Sequence, residues 1–259
     1  MLPEDITPLI LCRNEQENMR RTLAQLRWAM EVVVLDSFST DETLEICSEF
    51  FNVRLVQRAF DNHGAQWNFG LQECEIKTSW VLALDADYFV PKEFVEEVEN
   101  LHPTEINVGY RASFLYSING QILSGSLYPP SVVLFRRDKC SYLQDGHTQR
   151  LVFQGRIDKL STRIVHDDRK PLTAWLSSQV GYADLEVDKL TGTPWKSLRV
   201  QDKLRRLIVV TPWLVPIYCL LFRKGLRDGR AGLAYALQRS IAESILALRL
   251  LGLNIQVKK

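Results

Sequence analysis

Trp80-Val81-Leu82-Ala83-Leu84-Asp85-Ala86-Asp87 is an apolar run of strand length that ends in two carboxylates separated by one small residue. An apolar run bounded by polar residues is typical of a buried strand in an α/β sheet. Open sheets of this class bind ligands at the carboxyl ends of their strands. Two neighbouring carboxylates at such an end indicate a divalent cation, which offsets their repulsion and can bridge to a phosphate. Because Asp also favours turns, the motif alone fits a plain strand-end turn equally well.

Composition limits the class of protein. The chain has 259 residues, of which 46% are hydrophobic and 24% are charged, which is enough for one large α/β domain or for one domain with a terminal appendage. A formal net charge of +1 argues against a nucleic-acid partner held by bulk electrostatics. The five cysteines are scattered without a Cys-x-x-Cys pair, which indicates neither a zinc site nor a disulfide framework and fits a reducing cytoplasm. The acidic N-terminal segment lacks the features of a signal peptide, so a cytoplasmic location is predicted.

Strand and helix signals alternate through the first ninety residues. Strands are predicted over residues 7–12, 32–35, 53–57 and 80–84, and helices over residues 15–30, 41–51 and 61–74. This alternation predicts a parallel sheet whose strand ends meet at one edge. From residue 107 to residue 137 the pattern becomes β-rich around Asn119-Gly120, a strong hairpin signal, and a helix is predicted over residues 173–187. We therefore expect an α/β half followed by an antiparallel half.

The last sixty residues differ in character. Residues 207–222 are nearly uncharged, and basic residues flank them on both sides. Because this run is short for a bilayer and contains Pro212 and Pro216, a segment lying in the membrane plane with Trp213 at the interface is predicted. A final helix over residues 231–251 carries an apolar stripe formed by Leu233, Leu237, Ile241, Ile245 and Leu248. Helices that pack on the domain or on a second copy give the same pattern, so a membrane surface and a homo-oligomer formed through these helices are both candidate partners.

A further acid stands at the end of the strand predicted over residues 32–35. Asp36 opens a loop in which Thr40 or Asp41 can serve as the N-cap of the next helix. Capping gives no reason for Asp36, which sits where a carboxylate can meet a base or a ribose. At the end of the first strand, Arg13 is placed to face either a phosphate or solvent.

The chain carries four motifs in order: Ile10-Leu11-Cys12-Arg13-Asn14-Glu15, Asp36-Ser37-Phe38-Ser39-Thr40-Asp41-Glu42-Thr43, Gly64-Ala65-Gln66-Trp67-Asn68-Phe69-Gly70 and Asp85-Ala86-Asp87. Together they resemble the nucleotide-sugar signatures of family-2 glycosyltransferases. More narrowly, the chain resembles the bacterial branch related to lipopolysaccharide-core β-1,4-glucosyltransferases, through Tyr128-Pro129 before a Leu-Phe-Arg-Arg strand, through His166 and through residues 224–232.

The resemblance implies a GT-A fold, which is an α/β fold with a Rossmann-like mixed sheet flanked by helices. This domain would cover residues 1–200, with a nucleotide-sugar half over residues 1–90 and an acceptor half over residues 91–200. A helical, membrane-associating extension would follow over residues 201–259. The residues that the resemblance assigns to donor binding are Arg13, Glu15, Asp36, Ser37, Gln66, Asn68, Asp85 and His166.

The resemblance also implies a metal site. Asp87 would bind Mn²⁺ or Mg²⁺, which bridges the donor's diphosphate, and Asp85 would lie against the ribose and the metal. His166 would ligate the metal or hold the diphosphate, although a lone His is often structural.

An inverting transfer needs a carboxylate that takes the proton from the acceptor hydroxyl. Similar sequences often carry a Glu directly after the His in the region of residues 142–150, and this chain has Thr148 and Gln149 there. Asp145 is the predicted base and Asp167 or Asp168 is the second choice, with a purely structural loop as the alternative.

The predicted function is inverting, metal-dependent transfer of a hexose from a nucleotide diphosphate sugar, with UDP favoured, to a glycan or lipid-linked acceptor. The setting would be bacterial cell-surface polysaccharide or lipopolysaccharide synthesis at the inner face of the cytoplasmic membrane. The alternative is a membrane-peripheral scaffold that has lost catalysis, because the Glu is missing and because Trp67 stands where an Arg is common. Phosphatases with an Asp-x-Asp strand end need Thr or Val where Phe89 stands, and no Gly-x-Gly-x-x-Gly of a dinucleotide-binding oxidoreductase follows the first strand.

Overall fold

The computed structural model describes residues 1–146 and 148–252. The chain divides into two compact units. Unit 1 comprises Met1–Ser117, Tyr128–Gln144 and Gln149–Arg169, and unit 2 comprises Ile118–Leu127, Asp145–Thr148 and Lys170–Lys259. His147, from the region predicted to hold the base, and residues 253–259 of the predicted extension lie outside the described residues. The domain boundaries proposed at residues 90 and 200 stay a prediction.

A large mixed sheet organises unit 1. Its strands are β1 (Ile6–Cys12), β2 (Val32–Asp36), β3 (Val53–Gln57), β4 (Trp80–Asp85), β5 (Tyr88–Phe89), β6 (Asn107–Ile118), then β8 (Ser131–Arg136) and β11 (Arg156–His166). The two-residue strand β7 (Gln121–Ile122) belongs to unit 2. The strand order is β3-β2-β1-β4-β8-β6-β11-β5, and β9 (Cys140–Asp145) and β10 (Thr148–Phe153) form a separate pair. The helices of unit 1 are α1 (Gln16–Ala24), α2 (Thr43–Ser48), α3 (His63–Gln72) and α4 (Lys92–Glu99), with short 3₁₀ turns at Pro3–Asp5 and Arg137–Lys139.

The direction of the strands changes along this sheet. The first four neighbours, β3, β2, β1 and β4, are parallel, whereas β8 runs antiparallel to both β4 and β6. Beyond them β11 is parallel to β6 and antiparallel to β5, a mixture that the sequence analysis did not anticipate in the second half. This is a mixed α/β sheet flanked by helices, so the predicted fold class is confirmed.

Alternation along the strands builds a core on each face of the sheet. On β1, Ile6 and Ile10 point to a cluster that includes Met19 and Leu23 of α1, while Leu9 points to a second cluster that includes Leu71 of α3. Successive side chains of a strand face opposite sides of the sheet, so helices are needed on both sides to cover apolar strands.

The helix α1 ends at Ala24, although the sequence predicted a helix to residue 30. The side-chain amide of Asn52 donates hydrogen bonds to the carbonyl oxygens of Leu26 (3.1 Å) and Ala29 (2.9 Å). These carbonyls follow the last helical turn and receive a donor from elsewhere in the chain, which lets residues 25–30 form turns in a buried position.

Unit 2 is helical. It contains α5 (Leu172–Gly192), α6 (Val200–Arg206), α7 (Thr211–Leu221) and α8 (Gly229–Leu250), with 3₁₀ turns at Trp195–Ser197 and Gly225–Asp228. A small core forms where Ala183 and Leu190 of α5 meet Leu198 and Leu246. The predicted hairpin turn is confirmed, since Asn119 (φ 51°) and Gly120 (φ 82°) both have the left-handed backbone that such a turn requires. Among the described residues, no helix combines the length and the apolar character needed to cross a bilayer.

Candidate functional site

The carboxyl ends of the parallel strands meet at one edge of the sheet, as the sequence predicts. The register places Leu11 beside Asp85 and Cys12 beside Asp36. On the far side of β2, Asp36 lies beside Gln57 of β3. The acids that end β2 and β4 therefore stand at the same edge, two strands apart, because β1 lies between them.

Asp36 is completely buried and its carboxylate is a centre of hydrogen bonds. One oxygen accepts from the backbone N–H of Ser39 (2.9 Å) and from the side-chain amide of Gln57 (3.0 Å). The other accepts from the Ser39 hydroxyl and from the thiol of Cys12 at 3.5 Å. Burial raises the pKa of Cys12 far above its ordinary value, and the charge of Asp36 raises it further. The carboxylate thus ties the ends of three strands together.

The loops after β1 and β2 are joined by their own polar groups. The backbone N–H of Asn14, a residue with φ 54°, donates to the Ser39 hydroxyl, and the N–H of Glu15 donates to the Thr43 hydroxyl, both at 2.8 Å. Arg13 is exposed on this joined pair of loops, and Glu15 is half-buried. The predicted donor residues Arg13, Glu15 and Asp36 therefore lie together in one corner of unit 1, on loops that hydrogen bonds join.

The helix α3 contributes to this corner through Gln66. Its side chain is completely buried, donates to the Ser37 hydroxyl at 3.1 Å and accepts from the guanidinium of Arg58. Gln66 and Ser37, both predicted to bind the donor, are thus neighbours that organise the edge.

Two other residues of α3 face the interior instead. The amide of Asn68 donates to the carbonyl oxygen of Tyr142 and accepts from its N–H, each at 2.8 Å, so it holds β9 against α3. Trp67 is buried and stacks on the Tyr142 ring with centroids 5.4 Å apart. Trp67 is therefore a core residue, and its indole fills the interior rather than replacing a cation on the surface of the corner.

His166 is brought to Asp87 by strand pairing. The antiparallel register of β5 and β11 aligns His166 with Tyr88, the residue next to Asp87. The imidazole Nε2 lies 3.4 Å from the Asp87 carboxylate. The ring stacks on Tyr116 with centroids 4.6 Å apart and an interplanar angle of 14°, and Tyr128 lies at the same centroid distance. The sequence separates Asp87 and His166 by 79 positions, and the sheet makes them neighbours.

Tyr88 and Tyr128, which lie beside the His166 ring, have raised pKa values. Burial raises the pKa values of Tyr88 and Tyr128 well above the ordinary value, and the charge of Asp85 adds to the effect. Their hydroxyl groups form a mutual hydrogen bond of 2.5 Å. These two side chains are therefore neutral phenols near neutral pH.

The backbone around Asp87 is fixed by donors that the sequence analysis missed. The hydroxyl of Thr22, buried on α1, donates to the carbonyl oxygen of Ala86 (2.6 Å) and lies 3.2 Å from that of Tyr88. The backbone N–H of Asp167 donates to the carbonyl oxygen of Asp87 at 3.0 Å. The sequence did contain a pattern that indicates buried polar contacts of α1. Asn18 and Thr22 stand four residues apart, so they share one face of the helix, and each precedes an apolar residue of that buried face.

Asp167 itself is a buried ion-pair residue. Its carboxylate lies 2.8 Å from guanidinium nitrogens of Arg21 and Arg169. Burial alone would raise the pKa of Asp167, but hydrogen bonds from Arg169 and Ser117 and the charge of Arg21 hold it below the ordinary value. A general base works best with a pKa near the working pH, so this environment favours a positioning role for Asp167. The neighbouring Asp168 accepts a hydrogen bond of 3.0 Å from the amide of Asn18.

Asp145 lies in unit 2. Its carboxylate forms ion pairs with Lys189 (3.0 Å) and Arg199 (2.9 Å) of the same unit. Two cations therefore hold the first-choice base, and its catalytic role stays a prediction.

The donor set of Asp87 and His166 fits a divalent cation. A carboxylate oxygen and an imidazole nitrogen are ligands that Mn²⁺ accepts, whereas Mg²⁺ prefers oxygen alone. Among residues 1–146 and 148–252, no three His, Cys, Asp or Glu side chains are grouped to hold a metal ion. The pair supplies two ligands, so a cation here would take its other ligands from a bound phosphate and water. The assignment of Asp85 as a third ligand stays a prediction.

Comparison with known proteins finds a family model, two relatives and a solved structure to which the chain is similar. Residues 9–110 match the family model described as glycosyl transferase family 2. The chain is 24% identical to the lipopolysaccharide core biosynthesis glycosyltransferase LpsC of Rhizobium meliloti, over 96% of this chain and 93% of that protein. It is 30% identical to an uncharacterized glycosyltransferase of Rickettsia bellii over 43% of this chain, a match that spans 37% of that relative. A crystal structure of a mycobacterial protein is similar in fold, with 15% identity over 74% of this chain and 76% of that chain and a TM-score of 0.51.

Proposed function

We propose that the chain is a member of glycosyl transferase family 2, and that it is an inverting, metal-dependent enzyme that transfers a hexose from a nucleotide diphosphate sugar. UDP is the proposed nucleotide, and a glycan or a lipid-linked molecule is the proposed acceptor. The likeness to LpsC along nearly the whole chain supports cell-surface polysaccharide or lipopolysaccharide synthesis as the setting. The proposed location is the inner face of the cytoplasmic membrane.

One observation carries the proposal: the 3.4 Å approach of His166 to Asp87 next to the strand-end edge that also holds Asp85 and Asp36. A cation held by Asp87 and His166 would neutralise the charge that develops on the departing nucleoside diphosphate. Asp36 and Gln66 are buried beneath the loops that follow β1 and β2 and hold those loops in place. Arg13 is exposed on the same loops and can meet a phosphate of the nucleotide. In this proposal Arg13 binds the donor, and Asp36 and Gln66 hold in place the loops that orient it.

The first test is a donor screen. The purified chain is incubated with UDP-, GDP- and TDP-sugars, and release of the free nucleotide is measured with and without Mn²⁺. We expect release from a UDP-sugar that stops in excess chelator. Full release in chelator would contradict metal dependence, and binding of UDP without turnover of any sugar would support the scaffold alternative.

The second test is Asp87→Ala, with Asp138→Ala as the matched control because the Asp138 side chain is exposed in unit 1. Loss of one group that stabilises developing charge typically lowers turnover by about 100-fold or more. Asp138→Ala should leave turnover within about twofold. Equal turnover in Asp87→Ala and in the wild-type protein would remove Asp87 from the site.

The base is assigned by comparing Asp145→Asn, Asp167→Asn and Asp168→Asn. The variant that has lost the base should lose turnover while it keeps the KM for the donor and loses the alkaline-side plateau of the pH–rate profile. A variant that loses stability but keeps the shape of the profile has lost a positioning residue. For Asp167 we expect this second result, because its two arginine partners hold it as a structural anion.

A further inference from the structure

The helix α7 has an apolar face that the described residues of unit 2 leave exposed. Trp213 is 75% exposed and Phe222, directly after the helix, is 71% exposed. Four more apolar side chains between them are also exposed: Leu214, Ile217, Tyr218 and Leu221. At about 100° per residue these six positions fall on one half of the helix circumference, opposite the buried Cys219. We call these six residues the α7 face.

The α7 face is exposed because the other side of the helix is already used. The hydroxyl of Ser240 on α8 donates to the carbonyl oxygen of Pro212 at 2.8 Å, which fixes the first turn of α7. At the other end the chain turns through Gly225, whose carbonyl oxygen lies so close to Gly232 that a side chain at position 232 would not fit. The helix is therefore anchored at both ends with its apolar face outward.

Charge around this face has one sign. Between residues 203 and 252 the sequence has nine Lys and Arg residues and only two acids, Asp228 and Glu243. Both acids are buried, and Asp228 accepts from the N–H and hydroxyl of Ser124 while Glu243 pairs with Arg205. Every exposed charge in this stretch is consequently positive.

The exposed basic residues stand next to the α7 face. Arg223, Lys224, Arg227 and Arg230 follow it directly along the chain and are all exposed. The Arg223 guanidinium lies over the Tyr218 ring, 5.6 Å from its centroid, so cation and apolar surface are contiguous. A surface of this kind complements a layer that is apolar inside and anionic outside.

The length of α7 and the positive charge beside it indicate what the α7 face binds. The 11 residues of α7 extend for about 16 Å, about half the thickness of a bilayer's hydrocarbon core, so the helix is suited to lie in the plane of an interface. A second copy of the chain would bring two positive rims together, which opposes pairing through this face. We propose that the α7 face docks on a membrane surface that carries anionic lipid headgroups, with α7 parallel to that surface. This inference does not depend on the donor or on the metal.

The test is flotation of the full chain with vesicles of phosphatidylcholine alone and of phosphatidylcholine with 30% phosphatidylglycerol. We expect the wild-type chain to float with the anionic vesicles, to float far less with the neutral ones and to be partly released by 0.5 M NaCl. Equal flotation with both vesicle types, or none with either, would overturn the proposal. Nucleotide release without vesicles is measured in parallel, so failure to dock is distinguishable from failure of the proposed transferase activity.

Two variants locate the docking surface. Trp213→Ser/Phe222→Ser should lower the vesicle partition coefficient by about 100-fold, since full burial of each of the two large apolar side chains is worth about tenfold or more. Arg223→Gln/Lys224→Gln should lower it by about fivefold for each charge removed. The matched controls are Phe51→Ser, at a 90% exposed aromatic residue of unit 1, and Lys92→Gln/Lys139→Gln, at exposed lysines of unit 1.

Circular dichroism tests whether each variant is folded. The comparison of the wild-type protein on the two vesicle types does not depend on any variant, so it tests the proposal even if a variant fails to fold. If the controls in unit 1 lower partition as much as the α7 variants do, docking is not specific to this face and the proposal is wrong. Sedimentation velocity tests the other occupant. A dimer of the wild-type chain that Trp213→Ser/Phe222→Ser converts to a monomer, together with absence of flotation, would assign the α7 face to self-association instead.

Discussion

Replacement of Thr22 by Val tests how the backbone around Asp87 is fixed. The substitution keeps the shape of the side chain and removes the hydroxyl that donates to Ala86 at 2.6 Å in a fully buried place. Removal of one partner of a buried hydrogen bond costs about 1–3 kcal/mol. We therefore expect the free energy of unfolding to fall by this amount, with a decrease in Tm of about 2–4 °C for each kcal/mol.

The same substitution should weaken metal binding, because Ala86 and Tyr88 flank Asp87 and lose a common tether. Loss of a group that orients a metal ligand typically lowers affinity by about tenfold or more. The assays are urea unfolding followed by circular dichroism and titration of Mn²⁺ in the presence of UDP, followed by the electron paramagnetic resonance of the free ion.

Thr191→Val is the matched control, because the Thr191 hydroxyl also donates to a backbone carbonyl, that of Val187 at 2.8 Å, but in an exposed position on α5. The control should change the free energy of unfolding by less than about 0.5 kcal/mol. If Thr22→Val unfolds like the wild-type protein, the hydrogen bond has no structural weight. If it is less stable but binds Mn²⁺ with unchanged affinity, Thr22 supports the fold without positioning Asp87.

Three further predictions concern residues of the described structure. The folded-state pKa of Asp167 is lowered, so its ion pairs stabilise the protein above the unfolded pKa of about 4, and this contribution is lost as the pH falls through the folded value. Urea unfolding from pH 7 to pH 3 should show that the free energies of unfolding of the wild-type protein and Asp167→Asn differ less in acid. A difference that stays constant with pH would refute this. Glu97→Ala should lower the free energy of unfolding by about 1–3 kcal/mol, because the carboxylate accepts the N–H groups of Ser161 (2.7 Å) and Thr162 (2.8 Å) at an irregular step of β11, whereas Glu96→Ala, at an exposed ion pair, should lower it by less than about 0.5 kcal/mol. Burial raises the pKa of every cysteine thiol, to about 12 for Cys47 and Cys140, so iodoacetamide at pH 8 should label the native chain slowly and all five positions only in denaturant. Rapid labelling of the native chain at more than the half-buried Cys140 would contradict the burial of the other four, which are Cys12, Cys47, Cys74 and Cys219.

Local patterns in the sequence predicted the strands of the first half closely. The strand over residues 53–57 has the predicted bounds, and β1, β2 and β4 differ from prediction by a single residue at one end. Apolar runs and their terminal acids are properties of neighbouring residues, so they are visible without the fold. The helix bounds were predicted less accurately. The helix α1 ends at Ala24 because the side chain of Asn52, 26 residues beyond Leu26, binds the backbone carbonyl of Leu26 that follows the helix.

The candidate site divides in the same way. The acids at the ends of β2 and β4 were visible as strand ends, and parallel topology alone requires that they share an edge. The approach of His166 to Asp87 depends on the antiparallel pairing of β5 with β11, and the tether from Thr22 depends on how α1 packs. The sequence also did not determine that Asn68 binds the backbone of Tyr142 or that Trp67 lies in the core. The type of a polar or aromatic residue does not show which group it contacts.

The helix α8 shows which features the sequence does not predict. Its periodicity determined that Leu233, Leu237 and Ile241 share one face, and α8 is a helix over Gly229–Leu250. Only the tertiary structure decided that this face is exposed, while Tyr235 and Leu246 are buried. The physical reason is that periodicity fixes which side chains point the same way, whereas burial depends on which other segments occupy the space around them. The strand, its two acids and the helix faces were set by the sequence; the partners of each were set by the fold.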